Sequence, residues 1–137
     1  MYNTGKSKFL LGEIDWVDDG TATNIRLLLV DDTHTPEPDD DYVADVVGDE
    51  AAGTGYVRKN LASCAVSVND TDDRAEADAA DVTWTGLDCG TIAAAIVYKF
   101  ITNDAASVLI CHLDFTDLVT NGGDVTLQFA AAGLFYV

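Results

Sequence analysis

The chain is poor in basic residues: seven Lys and Arg stand against 24 Asp and Glu, which gives a formal net charge of −17. Proteins that bind DNA or RNA owe most of their affinity to Lys and Arg side chains that neutralise phosphates. Anionic membranes attract proteins through the same side chains. We therefore expect no nucleic-acid partner and no membrane partner.

Cysteines are also few, and no long apolar run is present. The three cysteines, Cys64, Cys89 and Cys111, form no C-x-x-C motif, so their spacing indicates neither a zinc site nor a redox pair. We expect reduced thiols that pack as small apolar side chains. The longest apolar stretch, residues 92–98, is too short to span a bilayer. Residues 1–8 are polar and lack the apolar region of a signal peptide, so we expect synthesis in a cytoplasm.

What the chain does contain is a strongly apolar composition and many aspartates. Its 137 residues are 48% hydrophobic, enough for one domain with its own core, so we treat residues 1–137 as a single domain. Of the 24 acidic residues, 20 are Asp. Asp competes for backbone hydrogen bonds and favours turns over helices and strands. The composition therefore predicts short regular elements joined by many turns.

The apolar pattern predicts antiparallel strands. Alternation with a period of two marks half-buried strands at residues 64–69, 82–85 and 125–129, and a short apolar run marks residues 27–30. Residues 91–100 and 108–113 are apolar on both faces, which is typical of central strands covered on both sides. One cover would be the core, and the other could be a partner subunit.

Turn sequences separate these strands. We expect tight turns at residues 18–20 and 121–124 and a hairpin turn at residues 102–104. A short helix is predicted at residues 41–47, where Tyr42, Val43, Val46 and Val47 share a helical face. The fold class that follows is all-β: a single-domain antiparallel β-sandwich or jelly-roll-like barrel with long loops. Residues 1–16 form an N-terminal segment, and residues 31–41, with both prolines, form an extended exposed loop.

No motif indicates catalysis. Gly53-Thr54-Gly55 lacks the context of a phosphate loop and is better explained by tight turning. Cys111 and His112 are adjacent in a strand and point to opposite faces, so they cannot form a catalytic pair. We expect no enzyme activity and no cofactor. Calcium binding by the acidic loops at residues 39–41 and 70–73 is an alternative to simple solvation of their charges.

Eight residues are candidates for contacts with a partner protein. Trp16 is expected to anchor the N-terminal segment in the core, with a partner interface as the alternative. The loop 31–41 offers a histidine and two prolines. Tyr42 and Tyr56 could serve a carbohydrate- or receptor-binding site or could equally pack in the core. Two basic residues after Tyr56 could dock on an acidic neighbour. The candidate interface residues are Trp16, His34, Pro36, Pro38, Tyr42, Tyr56, Arg58 and Lys59.

The order of several short motifs carries a resemblance across nearly the whole chain. Residues 8–10, 14–16 and 25–29 are followed by Thr33-His34-Thr35-Pro36, by residues 41–46 and by Gly53-Thr54-Gly55-Tyr56. Residues 81–84, 95–98, 122–127 and 132–134 complete the series. The chain in this respect resembles a family of small structural proteins found among the virion genes of tailed bacteriophages.

The resemblance implies a structural virion protein, made in the host cytoplasm and localised in the particle. Its expected role is capsid decoration: a cement protein that stabilises the head. A tail, collar or fibre-base protein is the alternative within this class, and a carbohydrate- or receptor-binding β-sandwich is the alternative outside it. The expected partners are the major capsid protein or other virion subunits, with homo-oligomer formation in the particle.

Overall fold

The computed structural model describes all residues from Met1 to Val137. Strands account for 42% of the chain and helices for 15%, so the expected all-β class is confirmed. The helices are α1 (Asn3–Leu10), α2 (Trp16–Thr21) and α3 (Val43–Val46), with a 3₁₀ turn at Val47–Asp49. The strands are β1 (Ile25–Asp31), β2 (Lys59–Asn60), β3 (Ala65–Asn69), β4 (Arg74–Asp78), β5 (Val82–Leu87), β6 (Thr91–Lys99), β7 (Val108–Val119), β8 (Gly123–Leu127) and β9 (Phe135–Tyr136).

A four-stranded antiparallel sheet of order β2-β1-β6-β7 forms the centre of the molecule. Residues 100–107 join β6 to β7, which confirms the hairpin expected there. Within β1 and β6, Leu27 pairs with Val97 and Leu28 with Ile96. Both strands are almost wholly buried, as their apolar composition predicts.

Each face of this sheet carries its own apolar cluster. On one face Leu27, Leu29 and Val97 pack with Trp84 and other residues of the smaller sheets. On the other face, Leu28, Val30, Ile96, Tyr98 and Leu109 pack against residues of the same chain: Tyr2, Val43 and Val46. The second cover of the central strands is therefore the N-terminal segment and α3, so burial on both faces gives no sign of a partner subunit.

Two smaller sheets complete the structure, one of order β3-β4-β9 and one that pairs β5 with β8. All strand pairs are antiparallel. Ala77 of β4 and Val82, Trp84 and Leu87 of β5 lie in the larger apolar cluster, so both sheets cover the same face of the central sheet. The arrangement is that of a sandwich and does not close into the jelly-roll-like barrel offered as its alternative.

Two details of the predicted strands are wrong. A β-bulge between Ile92 and Ala94 shifts the register, so Ile92 joins the cluster of Ala95 and Val97, not that of Ile96 and Tyr98. In β3, Val66 and Val68 are 54% and 74% exposed, although alternation predicted burial. That strand is the edge of its sheet, and none of its residues belongs to either apolar cluster.

The helices were the least predictable elements. Residues 18–20 were expected to form a turn, yet they lie inside α2. Asp15 caps the N-terminus of this helix, because its side chain accepts hydrogen bonds from the backbone N–H groups of Val17 and Asp18. The short polar helix α1 was not expected. The helix at residues 41–47 is confirmed in shorter form, with Val43 and Val46 buried and Val47 40% exposed.

The Gly53-Thr54-Gly55 segment lies against the backbone of β5 and the residues after it. Thr54 forms an isolated bridge with Asp88, and a Cβ at Gly53 or Gly55 would collide with backbone atoms of Asp88 or Gly86. Gly55 also has a positive φ of 75°. The glycines therefore allow the backbone of residues 53–55 to lie close to that of residues 85–89. This explanation agrees with tight turning and does not require a phosphate loop.

Candidate functional site

Trp16 and Tyr56, two of the eight candidate interface residues, belong to the interior. Trp16 is 4% exposed, donates from Nε1 to the carbonyl of Asp78 at 2.9 Å, and packs edge-on against the ring of Phe135. Trp16 is therefore a core residue and offers no surface to a partner. Tyr56 packs on the same cluster and donates from its hydroxyl to Glu50 at 2.6 Å.

Arg58 is also engaged within the chain. Its guanidinium donates to both carboxylate oxygens of Glu50 and to both of Asp104, at 2.6–2.9 Å. These charge-assisted bonds lower the pKa of Asp104 and raise that of Arg58. Burial, followed by the hydrogen bond to Glu50, raises the pKa of Tyr56. The cluster joins residues 50–58 to the β6–β7 turn, so Arg58 has no free charge for an acidic neighbour. Lys59, in β2, forms no ion pair within the chain.

The loop at residues 31–41 is exposed at its middle and tied down at its ends. Asn3 donates from its backbone to the carbonyl of Pro38 and from its side chain to Asp39, and the Thr4 hydroxyl donates to Asp41. The backbone of Asp41 accepts from Leu109 of β7. The loop is therefore not a free arm. Pro36 and Pro38 are exposed, as expected for contact residues.

His34 holds this loop to the body of the molecule. Its side chain is 3% exposed, its Nδ1 lies 3.0 Å from Asp49 Oδ2, and its ring stacks on that of His112 with centroids 5.7 Å apart. Burial, followed by the nearness of His34, lowers the pKa of His112. His34 thus acts inside the fold, and its surface is not available to a partner.

Tyr42 is the one aromatic candidate with an open surface. It is 38% exposed and lines a shallow pocket of about 310 Å³ with Lys8, Lys99 and Ile101. Lys8 pairs with Glu13, and Lys99 pairs with Asp19 at 2.8 Å, so neither lysine presents an uncompensated charge there. The carbohydrate-binding alternative relied on Tyr42 together with Tyr56, and the structure turns Tyr56 inward.

Cys111 and His112 lie in different surroundings. Cys111 is buried in the larger cluster, and burial raises the pKa of its thiol to about 12, whereas His112 stacks on His34. All three cysteines are free thiols. No group of three or more His, Cys, Asp or Glu side chains is arranged to hold a metal ion. The acidic turn at residues 70–73 is closed instead by Asn69 and by the ion pair of Arg74 with Asp72.

A surface feature that the sequence did not single out lies between β7 and β8. Phe115, Thr116 and Leu118 of β7 face residues 125–127 of β8 across a largely apolar groove of about 240 Å³. Trp84, Leu29 and Ile92 line it as well. The alternating pattern at residues 125–129 indicated that one side of this strand is apolar. Only the packing of the two sheets places β8 opposite β7.

Comparisons with protein-family models, with curated proteins and with solved structures find no match for this chain. None of its helices has the length and apolar character that a membrane span requires.

Proposed function

We propose that this protein is a structural virion component of a tailed phage that decorates the outside of the capsid and stabilises the head. The series of motifs from residues 8–10 to residues 132–134 supports this proposal through its resemblance to small virion proteins. An antiparallel β fold with a well-packed interior suits a part that bears load and carries out no reaction.

The distribution of charge is the observation that carries the proposal. Four of the seven basic side chains, Lys8, Arg58, Arg74 and Lys99, are paired with acids of the same chain. The remaining excess of carboxylates has no counterpart within the molecule. Such a surface is repelled by packaged DNA and attracted to basic patches on other proteins. On a shell that repeats one binding patch many times, weak contacts of this kind add up through multivalency.

The exposed segment Pro36–Pro38 is the candidate contact within this role. Its prolines are solvent-exposed, while hydrogen bonds from Asn3 and the contact of the buried His34 side chain with Asp49 hold the loop behind them. A segment that is already held in place loses less entropy on binding, which favours affinity. A position on the tail, the collar or the fibre base would use the same surface and is the alternative within the proposal.

The test is a binding experiment with particles. Heads purified from phage that lack this protein are mixed with it, sedimented and examined by cryo-electron microscopy. We expect saturable uptake, new density on the outer lattice and greater resistance of the heads to heat or chelators. Uptake confined to tails or collars would move the protein to that position, and no uptake by any particle would overturn the proposal.

A further inference from the structure

The outer edge of β7 is an unpaired strand edge over most of its length. β7 is the last strand of the central sheet, and its only strand partner is β6. Near its start, Ile110 accepts from Tyr2 and Leu109 donates to Asp41. From His112 to Val119, no backbone group forms a hydrogen bond to a residue outside β6, and the pairing with β6 itself is interrupted at residues 115–117 by a register shift. This edge can therefore accept another strand.

The edge borders an apolar groove that continues along the molecule. Phe115 and Leu127 line both the groove of about 240 Å³ and a second depression of about 350 Å³ beside residues 127–134. Leu118 is 41% exposed, and Phe129 and Leu134 are only partly buried. β8, on the other side of the groove, spans five residues and pairs with β5 alone.

The charge around the groove selects the occupant. No Lys or Arg occurs after Lys99, whereas Asp114 and Asp117 lie exposed along the β7 edge. A second copy of the chain would bring the same acidic edge and another net charge of −17, and like charges on facing strands are destabilising. A strand in which apolar side chains alternate with Lys or Arg would fill the groove and neutralise the acids.

We propose that this groove binds an extended segment of a different protein, apolar and basic in alternation, which adds as a strand to the outer edge of β7. Backbone hydrogen bonds to β7 supply affinity that depends little on sequence, and the groove selects apolar side chains at every second position. The inference goes beyond the virion role and does not depend on it, because its test contains no particle.

The test uses synthetic peptides and the intact protein. A fluorescein-labelled ten-residue peptide that alternates valine with lysine is titrated with protein, and fluorescence anisotropy reports binding. We expect saturable binding to the wild type and none with a peptide that alternates valine with glutamate. The double variant Asp114→Lys/Asp117→Lys should bind the lysine peptide at least about tenfold more weakly, because two attractions for the peptide lysines become repulsions. It should also gain affinity for the glutamate peptide.

A matched variant separates this site from general attraction to an acidic protein. Asp18→Lys/Asp70→Lys makes the same change in net charge at exposed acids whose side chains form no hydrogen bond within the chain and line neither depression. It should bind the lysine peptide within about twofold of the wild type at 0.15 M salt, where distant charges are largely screened. Equal weakening by the two double variants would overturn the proposal.

Two further measurements test the mode of binding. Two peptides are compared, one methylated at the backbone nitrogens of its odd residues and one at those of its even residues. Only one of the two should lose binding, because only one of these sets of N–H groups faces β7. Leu118→Asp, checked for folding by circular dichroism, should weaken binding about tenfold or more by placing a charge in the groove. If the wild type forms dimers and Leu118→Asp abolishes them, the groove binds a second copy of the chain, and the proposal is overturned.

Discussion

Gly5 lies where α1 packs on β7. A Cβ at this position would lie 2.6 Å from the carbonyl oxygen of Leu109 and 2.9 Å from the Cα of Ile110. These are backbone atoms, which cannot move aside without shifting the strand. The residue therefore sets the distance between the N-terminal helix and the central sheet.

Gly5→Ala should destabilise the protein by about 1–3 kcal/mol, the usual cost of overpacking. In an exposed helix the same change would stabilise by about 1 kcal/mol, so the predicted sign is opposite to that of helix propensity. Urea unfolding followed by circular dichroism measures the difference. Ser7→Ala, at an exposed position of the same helix, is the control and should change stability by less than about 0.5 kcal/mol. Equal or greater stability of Gly5→Ala would show that α1 does not pack as described.

Arg58 is the second residue with a testable role, because it neutralises two carboxylates at once. Its side chain is 26% exposed and that of Glu50 is 13% exposed, so solvent screens the cluster only in part. Arg58→Met should cost about 1–3 kcal/mol at pH 7, between the values for exposed and buried ion pairs. Lys59→Met, which removes a basic residue without an ion pair, is the control and should be nearly neutral.

The pH dependence of the Arg58 effect follows from Asp104. Arg58 lowers the pKa of Asp104 below its ordinary value of 3.8 in the folded state. The unfolded chain therefore takes up this proton first as the pH falls, and the stability that Asp104 contributes is lost below about pH 4. The difference in stability between the wild type and Arg58→Met should shrink from pH 7 to pH 3 in urea titrations. A difference that is constant or grows over this range would contradict the assigned pairing.

At the scale of elements, α3 covers one face of the central sheet. Val43 is fully buried and Val46 is 1% exposed, both in the cluster that contains Leu28 and Tyr98. The backbone of Val43 donates to Ser107, and Ala44 donates to Asp104, so the helix is fastened to the β6–β7 connection. The element is only four residues long, so packing rather than helix propensity must hold it in place.

Neighbouring valines in this region provide a matched test of that cover. Val46→Ala should cost about 2 kcal/mol, because it removes two buried methyl groups and leaves a cavity. Val47→Ala, one residue later and 40% exposed, should cost less than about 0.5 kcal/mol. Thermal or urea unfolding of the two variants gives the comparison. Similar costs for both would mean that this face of the sheet is covered by something other than α3.

At the scale of the whole molecule, self-repulsion among acidic side chains opposes folding. The net charge of −17 is carried on 137 residues, and the unfolded chain spaces these charges further apart. Salt shortens the range of the repulsion, with a Debye length of about 10 Å at 0.1 M and about 3 Å at 1 M. The folded state should gain from added salt more than a neutral protein of the same size would.

We expect the melting temperature at pH 7 to rise by about 3–5 °C, or about 1 kcal/mol, between low salt and 0.5 M NaCl. Differential scanning calorimetry measures the shift. CaCl2 at matched ionic strength is the control for specific binding, since the acidic turns were an alternative calcium site. An unchanged or lower melting temperature in NaCl would show that charge repulsion is not a major cost of folding.

The β class, the central hairpin and the apolar strands β1 and β6 could all be predicted from sequence patterns, because the apolar residues in these patterns must be buried in any packing of the chain. The sequence also predicted the short helix near Tyr42 and the reduced cysteines. It did not predict α1, whose polar residues carry no periodic signal, or the helical state of residues 18–20, where Asp15 as an N-cap overrides the turn preference of Asp-Asp-Gly.

Which of the candidate residues remain at the surface could be read only from the folded chain. Burial of Trp16 and His34, and the engagement of Arg58 by Glu50 and Asp104, depend on contacts between residues far apart in the chain. The groove beside β7 likewise exists only because the packing of the sheets places β7 opposite β8. Local patterns show which side chains are apolar and must be buried. Which other segment of the chain buries them depends on long-range packing.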